Sequence, residues 1–254
     1  MTLATFEDLR GQSVFITGGG SGIGAALTEA FLRQGAKVAF CQRSDGAGFC
    51  DRMEAATGSR PLFLPCDISV TDQLQLTLST AARVQGPVTV LVNNAANDKR
   101  HDTLTTDEDL WDWSMAVNLR SYFFAAQSVI PGMQAAGGGS IINFSSISFM
   151  MADSGYASYI TANAGIVGLT RTLAREFGPD RIRVNAIAPG WVLTDRQKEL
   201  WVTPESLKAH LARQCLPDPI EPEDITGAAL YLASRSSRMM TSQTLILDGG
   251  YISS

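Results

Sequence analysis

A short apolar run, Ser13-Val14-Phe15-Ile16-Thr17, stops at Gly18-Gly19-Gly20-Ser21-Gly22-Ile23-Gly24 and passes directly into helical spacing at Ala26, Leu27, Ala30 and Phe31. A strand feeding a helix through a glycine turn confines the chain to α/β architectures. Glycines let the backbone turn tightly and approach a pyrophosphate, and the helix N-terminus presents free N–H groups and a positive dipole end. The same residues also serve a plain tight turn between a strand and a helix, so the rest of the chain has to decide.

Apolar runs continue at Lys37–Cys41, Pro61–Pro65, Val88–Val92, Ser140–Phe144, Ile182–Ile187 and Thr244–Leu247, which predicts seven strands in all. Helical patterns separate them at Leu74–Val84, Asp107–Met133, the stretch after Tyr156, and across 196–213 and 222–234. Strands alternating with helices predict a single-domain Rossmann fold over 1–254, a seven-stranded parallel sheet with helices on both faces. At the end of the second strand, where an acid would accept hydrogen bonds from a ribose 2′-OH, stand Cys41-Gln42-Arg43-Ser44, with no acid before Asp45. Arg43 there suits a 2′-phosphate, so NADP is favoured and NAD remains possible; a solvated surface charge is the alternative.

Composition excludes several classes of function. A net charge of -5 argues against nucleic-acid binding. No apolar run is long enough to cross a membrane, and MTLATFEDLRG lacks the design of a signal peptide. Cys41, Cys50, Cys66 and Cys215 have no metal-ligand spacing, and His101 and His210 are the only histidines, so no metal site is expected. The cysteines read as reduced, mostly buried thiols of a cytoplasmic protein.

Asn143 to Leu169, NFSSISFMMADSGYASYITANAGIVGL, runs from a strand end through Ser145, Ser146 and Ser148 into a small-residue helix carrying Tyr156 and Tyr159. A serine at a strand end, thirteen residues before a tyrosine in a helix's first turns, can bring a hydroxyl and a phenol together. A buried junction whose polar groups satisfy one another has the same appearance.

Four motifs stand in order: Thr17-Gly18-x3-Gly22-Ile23-Gly24, Asn93-Asn94-Ala95-Ala96, Ser146 with Tyr159, and Asn185-x3-Pro189-Gly190-x3-Thr194. With them the chain resembles the short-chain dehydrogenase/reductase family over nearly its full length. Segments 93–120, 189–204 and Gln214-Cys215-Leu216 look like those of bacterial aldose 1-dehydrogenases, which oxidise the anomeric carbon of a sugar to a lactone. The resemblance implies that Gly18, Ser21, Gly22, Ile23 and Gly24 hold the pyrophosphate, Asp67 meets adenine and Asn94 borders the ribose. Pro189, Gly190, Val192 and Thr194 would clasp the nicotinamide carboxamide. Asn118 would anchor the long helix and a water, Ser146 the substrate oxygen, and Tyr159 would be the acid/base. Such a base takes the O–H proton while hydride leaves the carbon. A substrate loop at about 191–215 and a homotetramer are further expectations from the family.

One part departs from the family's pattern. Its tyrosine is followed four residues later by a lysine that lowers the phenol pKa and binds ribose hydroxyls; here that position is Asn163. Asparagine can still hydrogen-bond a ribose but carries no charge, and an unassisted phenol near pKa 10 is a poor base at neutral pH. Asn163 is read as a crippling substitution, as a natural feature of a slow or specialised enzyme, or as the mark of a cofactor-binding protein without turnover. An enzyme of reduced activity is the preferred reading. A ketone or oxo-acyl reductase on the same fold stays open, as does a non-catalytic dinucleotide-binding protein. Asn97, Arg100, Ser148, Trp191 and Arg196 are expected around a sugar, with Trp191 stacking on a pyranose face. Lys99, Arg100 and Arg196 leave room for an acidic sugar or form a solvated rim.

Overall fold

The computed structural model describes residues 4–151 and 153–252; Met1 to Leu3 of the N-terminal stretch read for a leader lie outside them. Seven parallel strands form one sheet in the order β3-β2-β1-β4-β5-β6-β7. They are β1 Ser13–Thr17, β2 Lys37–Gln42, β3 Leu62–Pro65, β4 Val90–Asn93, β5 Gly139–Phe144, β6 Ile182–Pro189 and β7 Thr244–Leu247. The expected doubly wound sheet is therefore present, with strand ends shifted by one or two residues.

The helices are α1 Gly22–Arg33, α2 Ala47–Thr57, α3 Thr71–Gln85, α4 Glu108–Met115, α5 Ser121–Ala135, α6 Ala157–Phe177, α7 Asp195–Leu200, α8 Pro204–Leu211 and α9 Pro222–Ala233. Alternate residues of the central strands point to opposite faces. Val14, Ile16, Val38, Phe40 and Val92 meet Leu27, Phe31, Ile225 and Leu230 on one side. Phe15, Ala39, Leu91, Ile141 and Val184 meet Leu74, Leu78, Met133 and Leu173 on the other. Apart from Ala39, each of these buried side chains contributes roughly 1.5–3 kcal/mol of hydrophobic stabilisation.

Two features escaped the periodicity. The helical pattern read as continuous from Asp107 to Met133 is interrupted by a π-helical stretch, Ala116–Arg120, that contains Asn118. Such widened turns free backbone groups and re-aim side chains. Helix α2 has weak amphipathicity and was not anticipated; its buried anchors are only Phe49, Cys50 and Met53.

Chain connections run outward from β1 to β2 on one side and to β4 on the other, so a crevice opens past the carboxyl ends of β1 and β4. Thr17 closes its floor: its Oγ1 accepts from the backbone N–H of Asn94 at 2.9 Å and of Ala95 at 3.0 Å. The Asn94 side chain donates to the Thr17 carbonyl at 2.9 Å.

Candidate active site

The glycine turn lies on this crevice. Gly18 and Gly22 have φ of +69° and +51°, the left-handed region where a side chain is strained. At Gly24 an added Cβ would sit 2.0 Å from the Gly18 carbonyl oxygen, so only glycine fits. Ser21 precedes α1 without capping it through its side chain, which leaves the first N–H groups of α1 available to an anion. Around them Ser21, Ile23, Gly24, Gln42, Arg43, Ser44, Asp67, Asn94 and Asn97 line one elongated cavity.

Of the two acids that follow β2 and β3, Asp67 lines this cavity and Asp45 does not. Asp45 is turned to α2, where its Oδ1 accepts from the Ala47 N–H at 3.0 Å. Gln42, Arg43 and Ser44 therefore occupy the end of β2 without a lining carboxylate. Asp67 keeps one oxygen on Ser69, accepting from its N–H at 2.9 Å and its hydroxyl at 2.7 Å.

A second cavity of about 490 Å³ shares Ile23, Asn94, Ala96 and Thr194 with the first, so the two form one cleft. Ser146, Ser148, Tyr159, Asn163, Pro189, Gly190, Trp191, Val192 and Thr194 line it. Ser146 leaves the end of β5 and caps a short 3-10 turn, its Oγ accepting from the Ser148 N–H at 3.2 Å. Tyr159 enters from the first turn of α6 and is half-buried. The sequence thus brings the expected hydroxyl and phenol to one place.

Asn163 lies one turn beyond Tyr159 on α6 and is buried. Its side-chain Nδ2 donates to the Tyr159 backbone carbonyl at 2.8 Å, and its backbone carbonyl accepts from the Ser145 hydroxyl at 2.9 Å. The side-chain nitrogen is thereby engaged inside the helix. Burial raises the Tyr159 phenol above its ordinary value and the Asp98 carboxylate adds to this, while Ser146, Asn163 and Arg100 oppose it. The cluster can accept a proton at Tyr159, but with no ammonium beside it to favour the phenolate.

Asn118 is buried and clamps the chain at Asn97: its Oδ1 accepts from the Asn97 N–H at 2.8 Å and its Nδ2 donates to the Asn97 carbonyl at 3.0 Å. The Asn97 side chain accepts from the Lys99 N–H at 2.9 Å and lines the first cavity, apart from the Tyr159 cluster. Arg196 is paired with Asp98 at 3.2 Å, and Gln197 donates to the other Asp98 oxygen at 3.1 Å. Neither Arg196 nor Lys99 lines the Tyr159 cavity. Arg100 does, with its guanidinium 3.5 Å from the centre of the Tyr156 ring, which in turn stacks on Tyr159 at 5.5 Å.

Sequence reasoning missed Asp98, Asp153, Tyr156, Trp201, His210 and Tyr251 as cavity lining. Trp201 and His210 arrive on α7–α8 and Tyr251 on the segment after β7, remote in sequence from Tyr159. The aromatic content of 191–210 was the signal available for two of them. Segment Pro189–Thr194 crosses the mouth of the cleft: Gly190 N–H donates to the Leu247 carbonyl at 2.9 Å, and the Thr194 methyl packs against Gly22.

Comparison with known proteins gives consistent likenesses. A family model described as enoyl-(acyl carrier protein) reductase matches residues 18–252. The probable galactose dehydrogenase GalD of Rhizobium meliloti (strain 1021) is 48% identical over 254 residues, covering 98% of this chain and 99% of that one. The D-xylose 1-dehydrogenase of Caulobacter vibrioides (strain NA1000 / CB15N) is 42% identical over 252 residues, covering 99% and 100%. Among solved structures, a blue fluorescent protein from a metagenomic library, in complex with NADPH, superposes with a TM-score of 0.87 at 31% identity, covering 97% and 100%.

Proposed function

The chain belongs to the short-chain dehydrogenase/reductase family, whose members use NAD or NADP, and from that premise we propose that it oxidises an aldose at the anomeric carbon to the lactone, with NADP preferred. The observation that carries this reading is the Tyr159 cavity, where hydroxyls from Ser146 and Ser148 face aromatic walls from Tyr156, Trp191, Trp201 and Tyr251. Aromatic faces with dispersed hydroxyl partners suit a polyhydroxylated ring. The probable galactose and D-xylose dehydrogenases, similar over their whole lengths, support the same substrate class.

The first cavity fits a dinucleotide: uncapped N–H groups of α1, a glycine at Gly24 that admits no Cβ, and Asp67 with an oxygen to spare. Gly18, Ser21, Gly22, Ile23 and Gly24 would hold the pyrophosphate, Asp67 the adenine, and Asn94 the ribose. Pro189, Gly190, Val192 and Thr194 would hold the carboxamide. Arg43 and Ser44, with Asp45 turned away, support a 2′-phosphate. When bound, the nicotinamide supplies the acceptor for the hydride.

Ser146 would hold the anomeric hydroxyl and Tyr159 would take its proton. Because burial raises the phenol and the Asn163 amide is engaged with α6, the phenolate fraction at neutral pH is small and turnover is slow. Asn118, locked to Asn97, would hold the substrate-side loop and a water rather than touch the sugar.

A screen of aldoses with NADP and NAD tests the reading, run on this chain and on Asn163→Lys. Lactone formation with at least one neutral pentose or hexose is expected in both, slow in the first. Turnover restricted to ketones or oxo-acyl thioesters would move the assignment to a reductase of the same family. The position of Asn163 favours one second reading, a nucleotide-binding protein without turnover, which predicts tight NADPH binding and no product in either chain. Membership of the family carries the proposal of a homotetramer, which Gly168 on α6, open to empty space, and the exposed Phe123 on α5 support. A monomeric mass by light scattering at micromolar concentration would refute that part.

A further inference from the structure

His210 is the cavity residue whose chemistry the surrounding structure defines most narrowly. It sits near the end of α8 and is half-buried. Its ring stacks on Tyr251 at 4.4 Å with a 14° angle, and meets Trp191 edge-on at 5.1 Å. Its Nε2 lies 3.1 Å from Gln214 Oε1.

Gln214 fixes the tautomer. Its amide nitrogen donates to two carbonyls, Leu216 at 3.0 Å and Asp218 at 2.9 Å. Turning the amide over would set its oxygen against both acceptors, so Oε1 is the atom that faces His210. An amide oxygen only accepts, so the imidazole proton is on Nε2. In the neutral ring Nδ1 is then an acceptor, and among the described residues no group bonds to it. The C-terminal segment backs this arrangement: the Gly249 carbonyl accepts from the N–H of Cys215 at 2.9 Å and of Leu216 at 3.0 Å. A Cβ at Gly249 would come within 2.8 Å of the Gln214 amide nitrogen. Burial lowers the His210 pKa; the Gln214 hydrogen bond opposes this, and the Arg213 charge adds to it more than Asp248 offsets it.

The nearby charges are engaged. Arg196 is paired with Asp98, Arg213 lies over the Tyr251 ring at 4.3 Å, and Arg100 covers Tyr156. Asp98, Arg100 and Asp153 line the cavity with His210. An imidazole lone pair can receive a hydroxyl. Ser148 adds a second polar group to the same wall set, because its Oγ is buried and has no hydrogen-bond partner among the described residues.

We propose that His210 Nδ1 accepts a hydrogen bond from one ring hydroxyl of a sugar lying against Trp191, and so decides which aldoses are accepted. This deepens the sugar-dehydrogenase reading and rests on it. A residue built to receive a substrate hydroxyl discriminates against the analogue that lacks it, because its acceptor is then left unpaired.

The experiment compares the best aldose with its single-deoxy analogues, by kcat/KM and by the tryptophan fluorescence Kd, in the unmodified chain, His210→Phe and His210→Asn. At one deoxy position the unmodified chain is expected to lose at least tenfold. In His210→Phe, which keeps the aromatic stack, that penalty falls below threefold, and the parent aldose weakens mainly in KM and Kd. His210→Asn, with an amide oxygen near the Nδ1 position, restores part of the penalty. Penalties unchanged at every position in His210→Phe overturn the proposal while leaving the sugar reading intact. Absence of any aldose turnover or binding in the unmodified chain overturns both. Should the phenylalanine variant not fold, Gln214→Met removes only the partner that fixes the tautomer. There the penalty is expected to drop at least threefold, and an unchanged penalty again refutes the assignment.

Discussion

The two ends of the cleft are built from different materials. At the glycine turn the nucleotide end is made of backbone: Gly24 lies so close to the Gly18 carbonyl that a methyl group would come to 2.0 Å, and Gly18 and Gly22 hold positive φ. At the Tyr159 end the site is made of side chains on an ordinary helix. Asn163 stands there where the resemblance predicts a lysine, and α6 runs unbroken from Ala157 to Phe177 with the Asn163 Nδ2 donating to the Tyr159 carbonyl. A backbone site cannot change a residue without losing its shape. A side-chain site can change its chemistry while the fold registers nothing.

The sharpest way to break that comparison is Tyr159→Phe, which removes one oxygen from the side-chain end. Positioned acid/base groups contribute about 10²–10⁴ in rate, so activity should drop by roughly a thousandfold or to background while NADP affinity holds. Loss of NADP binding together with activity would mean that the two ends are not separable.

Asn163→Lys should have the next largest effect and the opposite sign. Its charge would lower the phenol pKa, against the burial that now raises it. Two units amount to about 2.7 kcal/mol, so kcat/KM for an aldose should rise roughly a hundredfold near pH 7. The phenolate is the active form, so the rate of the unmodified chain climbs with pH until the medium passes the raised pKa. The gap between the two proteins therefore narrows toward pH 10 and above. Equal rates at every pH, with Tyr159→Phe inactive, would mean that another group activates the tyrosine.

Gly24→Ala tests the backbone end. The overpacked methyl should destabilise the protein by about 1–3 kcal/mol, read as a lower urea midpoint, and should weaken NADP more than tenfold by displacing the turn. Normal affinity would show that the turn yields.

The backbone end was the more legible in the sequence for the same physical reason. Glycines that a turn demands must be spelled out as glycines, and the β1–turn–α1 unit is local. Ser146 and Tyr159 were also legible, because only a strand end and a loop separate them. The π-helical stretch at Asn118 was not, since its residues keep helical spacing and only the hydrogen-bond count changes. Asp98, Trp201, His210 and Tyr251 were not either, because they meet at Tyr159 through folding of distant segments, and nothing in local periodicity encodes that. The pairing of Arg196 with Asp98 was not legible either, because the two are neighbours only in space.

The smallest effect sits between the two materials, at Arg43, an exposed side chain on the otherwise backbone-defined nucleotide end. With Asp45 engaged at the start of α2, no lining acid meets the second ribose, so an NADP preference of at least tenfold is expected, about 1.4 kcal/mol. Arg43→Ala should erase most of it by weakening NADP and leaving NAD nearly unchanged, since a ribose hydroxyl gains little from the guanidinium. Titration of both dinucleotides into both proteins checks it. Equal affinities in the unmodified chain would remove Arg43 from the site, and a preference that survives the substitution would transfer the 2′-phosphate contact to Ser44 and the Gln42 amide beside it.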